Sequence, residues 1–222
     1  MNLIRPTYAK INLDHLEHNF HFLGQFISQA SGLKDLFYCP MVKANAYGHG
    51  DISVATKLQD IGAHYLGVGL IEEGIYLRKN GIKIPLVFFG KYLTQDLPDI
   101  FNYKLTPVIS DWQQLKETAD WVCEHITDFH ANAFKIHIKF DTGMHRLGFE
   151  LSQASAVSEF LKQNSQLWLE GVLTHLHSAE DLQCDDNQST SFNQLKKFQD
   201  IQPFFTRWTP YFHALNSAGL FN

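Results

Sequence analysis

Seven short apolar runs, separated by amphipathic stretches, constrain this chain more than any other feature. They are FYCPMVKA (37–44), YLGVGL (65–70), IPLVFFG (84–90), KLTPVIS (104–110), FKIHIKF (134–140), LWLEGVLTHL (167–176) and YFHALN (211–216). Each has the length of a strand, and most are apolar throughout, as strands covered on both faces are. Segments 71–80, 111–125, 151–163 and 191–201 carry helical spacing between them. Strands alternating with helices build parallel crossover units. Seven such units behind an opening helix predict an α/β fold, a (β/α)8 TIM-like barrel that is incomplete by one strand. No Gly-x-Gly-x-x-Gly follows the first run, which weighs against a dinucleotide-binding sheet. Ahead of the barrel, YAKINLD (8–14) alternates apolar and polar residues, the pattern of a half-buried strand. Asp14 is placed to cap a helix whose apolar face is Leu16, Phe20, Leu23, Ile27 and Ala30, ending near Gly32. The expected division is a short strand over 1–13 and the barrel over 14–222.

Composition narrows the function classes. A hydrophobic fraction of 45% over 222 residues is enough for a sizeable core. The net charge of −5 gives no basic footprint for nucleic acid. No run of 18 apolar residues occurs, and MNLIRPTYAKINLDH lacks the apolar centre of a signal peptide, so no membrane partner and a cytoplasmic location are expected. Cys39, Cys123 and Cys184 are too widely spaced for a disulfide framework or a Cys-x-x-Cys metal site, in keeping with a reducing compartment.

In barrels of this kind chemistry gathers at the carboxyl ends of the strands. Those ends offer Lys43, Lys139, Asp141, His175, His177, Asn216 and Ser217. An amine held against apolar surroundings loses its charge and can attack a carbonyl to form a Schiff base. Tyr47 and the glycine-rich stretch after Lys43 suit a phosphate. Plainer readings stand beside each. Lys43 and Lys139 are also ordinary strand-end lysines, Tyr47 a packing residue and Asp141 a turn cap. Arg146 is spaced to pair with Glu150, and Ser217 to begin a helix. His175 and His177 leave their strand on one side, a geometry that suits zinc. A metal-dependent barrel hydrolase using His175/His177 would need further ligands, and His137 and His213 lie inside strands.

Four stretches in fixed order then stand out: MVKANAYGHG (41–50), KFDTGMHRLGF (139–149), GVLTHLHSAED (171–181) and FHALNSAG (212–219). Together they resemble the motifs of the alanine racemase family. The resemblance implies pyridoxal 5'-phosphate as cofactor, carried by Lys43, whose freed amine is the base for one face of Cα. It implies that Tyr47 holds the cofactor phosphate, with Asn216 and Ser217 contributing. It implies that His175 lies against the pyridine ring. Lys139 matches a lysine often carbamylated in the family, where it orients the arginine matching Arg146. Arg146 would hold the substrate carboxylate or the cofactor phenolic oxygen. The implied reaction interconverts L- and D-alanine, an isomerase step supplying D-alanine as a peptidoglycan precursor, in a full-length parent that is a homodimer. Two departures matter. The family's glycine before the arginine is His145 here. Family members also continue into an eighth strand and a β-rich carboxyl-terminal domain, which supplies the second base from the partner subunit. The strand at 1–13 would pair with that domain, and these 222 residues alone are expected to be nearly inactive. The alternatives are a non-catalytic pyridoxal-phosphate homeostasis-type barrel and the metal hydrolase.

Overall fold

The computed structural model describes residues 7–32, 37–126, 134–183, 189–208 and 210–221. Six parallel strands lie side by side in chain order: β1 (Leu66–Val68), β2 (Leu86–Phe88), β3 (Leu105–Ile109), β4 (Phe134–Lys139), β5 (Leu167–Leu173) and β6 (Tyr211–His213). The helices are α1 (Leu13–Ser31), α2 (Asp51–Asp60), α3 (Ile71–Lys79), α4 (Leu97–Asn102), α5 (Trp112–His125), α6 (Ala154–Gln163), α7 (Thr190–Ile201) and the short α8 (Ser217–Phe221). Neighbouring strands are consecutive in sequence, so each helix returns the chain to the next strand position. The result is an arc of a barrel with its carboxyl ends on one rim.

Alternating side chains divide the core in two. Leu66, Val68, Leu86, Phe88, Ile136, Ile138, Leu169 and Val172 pack outward under Leu58, Leu77, Leu115, Leu161 and Phe198 of the helices. Val87, Val108 and Leu173 face the lumen with Phe37, Cys39, Tyr65 and Phe89. Both faces are covered, which is why the sequence runs read as continuous apolar blocks rather than alternations.

Six strands replace the seven expected. The first run, 37–44, contributes a single parallel bridge, Met41 to Gly67. Val42 N–H donates to Gly67 O at 2.8 Å, and Gly67 N–H to Pro40 O at 2.9 Å. Pro40 has no N–H to extend that ladder, and after Val42 the backbone turns away. The last run is a strand only over Tyr211–His213.

The cap of α1 also differs from expectation. Asn12 Oδ1 accepts from Asp14 N at 2.9 Å and His15 N at 3.2 Å, so Asn12 rather than Asp14 starts the helix. Gly32, at φ 66°, ends it as expected. The side chains of residues 7–12 are exposed, and these residues form no ladder among the described residues. The strand expected over 1–13 falls in part on residues 1–6, which lie outside the described residues.

Between β4 and β5 the register slips at Ile136/His137, where Leu169 and Gly171 face consecutive residues. Glu170 is the additional residue of this bulge.

Candidate active site

Lys43 stands where the chain leaves β1's edge. It does not continue a strand, as the apolar run suggested, but begins a left-handed helical turn over Lys43–Gly48. Ala44, Asn45, Ala46 and Tyr47 have φ of 52, 55, 50 and 55°. For L-residues this conformation costs about 1–2 kcal/mol each, so the turn persists only where its surroundings hold it. Ala46 N–H donates to Val42 O at 2.9 Å and Gly50 N–H to Asn45 O at 3.0 Å. Asn45 Oδ1 accepts from Asp51 N at 2.9 Å, which ties the turn to the start of α2. The Glu73 carboxylate, in the first turn of α3, accepts from Ala44 N at 2.6 Å through Oε1. Its Oε2 accepts from Gly69 N at 2.7 Å and Leu70 N at 3.0 Å. Gly69 runs beside the lysine stem: a Cβ there would stand 3.5 Å from Lys43 Cβ and Cδ. The half-buried Lys43 places Nζ 5.9 Å from the centroid of the exposed Tyr47 ring.

Lys139 ends β4 and is only 7% exposed. Burial, with the Arg146 guanidinium beside it, holds its amine below the ordinary lysine range, and Asp141 opposes only in part. The loop that carries Arg146 is folded by Asp141, whose Oδ1 accepts from Gly143 N, Met144 N and His145 N at 2.9, 2.9 and 3.1 Å. Burial pushes that carboxyl up, and the three backbone N–H groups outweigh it, leaving it below the ordinary range. The loop closes where Phe149 N donates to Lys139 O at 2.8 Å. His145 is exposed and takes φ 54°.

His175 follows β5 and is half-buried. Burial first, and then the charges of Lys139, Arg146 and Lys43, hold its imidazole below the ordinary histidine range. Four of the sequence-chosen residues, Lys43, Lys139, Arg146 and His175, thus lie at the carboxyl ends of the strands, on one rim. Gln194 of α7, fully buried, braces this rim. Its Nε2 donates to Thr142 Oγ1 and to His175 O, both at 3.1 Å, and its Oε1 accepts from His177 N at 2.8 Å. Thr142 and Thr174 bond each other at 2.8 Å beneath it. Sequence reasoning missed Glu73 and Gln194.

Asn216 and Ser217 lie beyond β6 on the same rim, both exposed. Asn216 Oδ1 accepts from Gly219 N at 3.0 Å and so caps α8, with Ser217 as the first helical residue. His177 is exposed, with Nδ1 2.5 Å from Ser178 Oγ. Among the described residues no group of three His, Cys, Asp or Glu side chains could hold a metal ion, so His175/His177 lack the companions that a metal hydrolase needs. Deeper in the lumen, His137 Nδ1 lies 3.0 Å from His213 Nε2, and His137 Nε2 lies 3.4 Å from Glu170 Oε2. Glu170 Oε1 completes this chain with Lys135 Nζ at 2.6 Å.

The family model for "Alanine racemase, N-terminal domain" matches residues 11–222. The alanine racemase of Carboxydothermus hydrogenoformans is 33% identical over 219 residues, covering 98% of this chain and 55% of the relative. That of Thermodesulfovibrio yellowstonii is 34% identical over 218 residues, covering 97% and 55%. The chain thus spans about half the length of these relatives. Among solved structures, alanine racemase from Clostridium difficile 630 superposes with a TM-score of 0.83 at 26% identity, covering 99% of this chain and 55% of that one. Alanine racemase from Bacillus anthracis with bound L-Ala-P gives 0.77 at 26% identity, covering 100% and 55%. A barrel arc with these motifs on one rim, matched over nearly its whole length, belongs to the alanine racemase N-terminal domain family.

Proposed function

We propose that this chain is the cofactor-bearing part of an alanine racemase, acting in the cytoplasm, with pyridoxal 5'-phosphate attached at Lys43 and alanine as substrate. One observation carries the reading: Lys43, the buried Lys139, Arg146 and His175 stand at the carboxyl ends of the strands of one arc, in a chain that the alanine racemase N-terminal domain family matches over residues 11–222. The donor set fits the group. A primary amine suits its aldehyde, basic side chains suit its phosphate and phenolic oxygen and the substrate carboxylate, and a neutral imidazole can lie against a ring. When bound, the cofactor supplies an electron sink for negative charge at the substrate Cα.

This chain's residues do the rest. Lys43 Nζ removes the proton from one face of Cα. Arg146 presents a planar donor fork to the carboxylate. Lys139, whose amine is held below its ordinary range, becomes the anionic partner of Arg146 once carbamylated, which removes the repulsion between two facing cations. His175 stays uncharged and orients the ring system. Tyr47, with Asn216 and Ser217, holds the phosphate end. The base for the opposite face comes from the partner subunit of the full-length homodimer, and these 222 residues alone have little or no racemase activity.

The test is chemical. The chain is incubated with pyridoxal 5'-phosphate, reduced with borohydride, digested and mapped by mass spectrometry. The label should sit on Lys43 and vanish in Lys43→Ala. Label scattered over exposed lysines such as Lys91 and Lys104, or undiminished in the variant, would sink the proposal.

A further inference from the structure

We infer that Glu73 is a positioning residue for Lys43, a two-oxygen clamp that fixes where the amine points; the inference rests on Lys43 being the attachment site. Three observations lead there. First, the residue immediately after Lys43 begins four successive left-handed conformations. That backbone has a strong tendency to relax, and relaxation at Ala44 would rotate the Lys43 side chain. Second, Ala44 N–H does not donate within the turn or to a strand, but to Glu73 Oε1 at 2.6 Å. Third, the other oxygen of the same carboxylate takes the two N–H groups of Gly69 and Leu70, in the loop that follows β1. This loop lies against the Lys43 stem, with only van der Waals room for a Cβ at Gly69. One side chain therefore joins the two backbone segments between which the lysine passes.

The chemistry requires a carboxylate. Both oxygens accept only, and all three partners are donors. A glutamine of the same shape offers one acceptor and one donor, so either Ala44 or the Gly69–Leu70 pair would face an amide N–H. The α3 position adds to the argument: a carboxylate in the first turn of a helix is favoured there by the exposed amides.

The experiment compares the unaltered chain with Glu73→Gln and Glu73→Asp. Amide hydrogen exchange is followed at Ala44, Gly69, Leu70 and, as an internal reference, Val42, which is held by Gly67 O instead. The borohydride-trapped pyridoxal-phosphate label on Lys43 is quantified per folded molecule, with denaturation giving the folded fraction. In the unaltered chain the three amides should exchange at least tenfold more slowly than in an unstructured peptide. In Glu73→Gln, Ala44 should exchange at least tenfold faster while Val42 does not change, and the Lys43 label should fall at least tenfold. Glu73→Asp, which keeps both acceptors on a shorter stem, should recover part of that label. A purely structural role would lower the denaturation midpoint yet leave the label per folded molecule intact, and that result overturns the inference. Free exchange of Ala44 in the unaltered chain overturns it too, even where Glu73→Gln fails to fold. If the three amides are protected but Lys43 of the unaltered chain takes no label, the attachment site itself is wrong and Glu73 is left as a backbone tie alone.

Discussion

Gly148 and His145 both hold positive φ in the loop that carries Arg146, for opposite reasons. Gly148 sits at φ 137°, and a Cβ there would come within 2.5 Å of Asp141 N and 2.7 Å of Phe140 C. Neither backbone atom can give way while Phe149 is bonded to Lys139, so Gly148→Ala should cost about 2 kcal/mol or more. At His145 the side chain is exposed and the backbone N–H donates to Asp141. The residue bears a left-handed strain that glycine would not. His145→Gly should leave stability unchanged or raise it by up to about 1 kcal/mol. Urea unfolding of both variants checks this pair. A large loss at position 145, or none at 148, would contradict the loop geometry.

At the level of elements, the strands and helices followed from the apolar rhythm, and the site followed only in part. Segment 111–125 gave a helix at Trp112–His125 because its spacing and the Asp111 cap agree. The run at 37–44 did not give a strand, since Pro40 and the left-handed turn interrupt it, and nothing in KANAYG announces four positive φ angles without glycine. Lys43, Lys139, Arg146 and His175 were legible because their motifs are distinctive. Glu73 and Gln194 were not, because each reads as a polar residue on an amphipathic helix until its tertiary hydrogen bonds are seen. Gln194 is the more severe case. It joins α7 to the ends of β4 and β5, so Gln194→Leu leaves His177 N and His175 O without their partner. Each of these partly buried groups so abandoned costs about 1 kcal/mol. The expected outcome is a lower urea midpoint together with weaker trapping of the cofactor at Lys43, since His175 loses its brace. Unchanged trapping would place the effect in stability alone.

For the whole molecule, His137 and His213 in the barrel interior and His175 at its rim make stability depend on pH near neutrality. Burial holds His137 below its ordinary range despite the Glu170 carboxylate, burial pushes His213 well below it, and burial with three cations lowers His175. The unfolded chain takes up protons at these positions near pH 6.5, and the folded chain does not. Stability is therefore fully present above the ordinary histidine value and declines as pH falls below it. Each group contributes up to about 1.4 kcal/mol per pH unit until its folded-state value is reached. Urea midpoints measured from pH 7.5 down to 5.5 should fall steadily over that range, and a flat profile would mean that these rings accept protons while folded.

The turn beside Lys43 has one more consequence. Angles that strain an L-amino acid are the resting state of its enantiomer. A chain assembled by chemical ligation with D-alanine at positions 44 and 46 would enter this bend without the steric toll and would grip the amine more firmly. Immediately after Lys43, this protein is folded for four residues as its own mirror image.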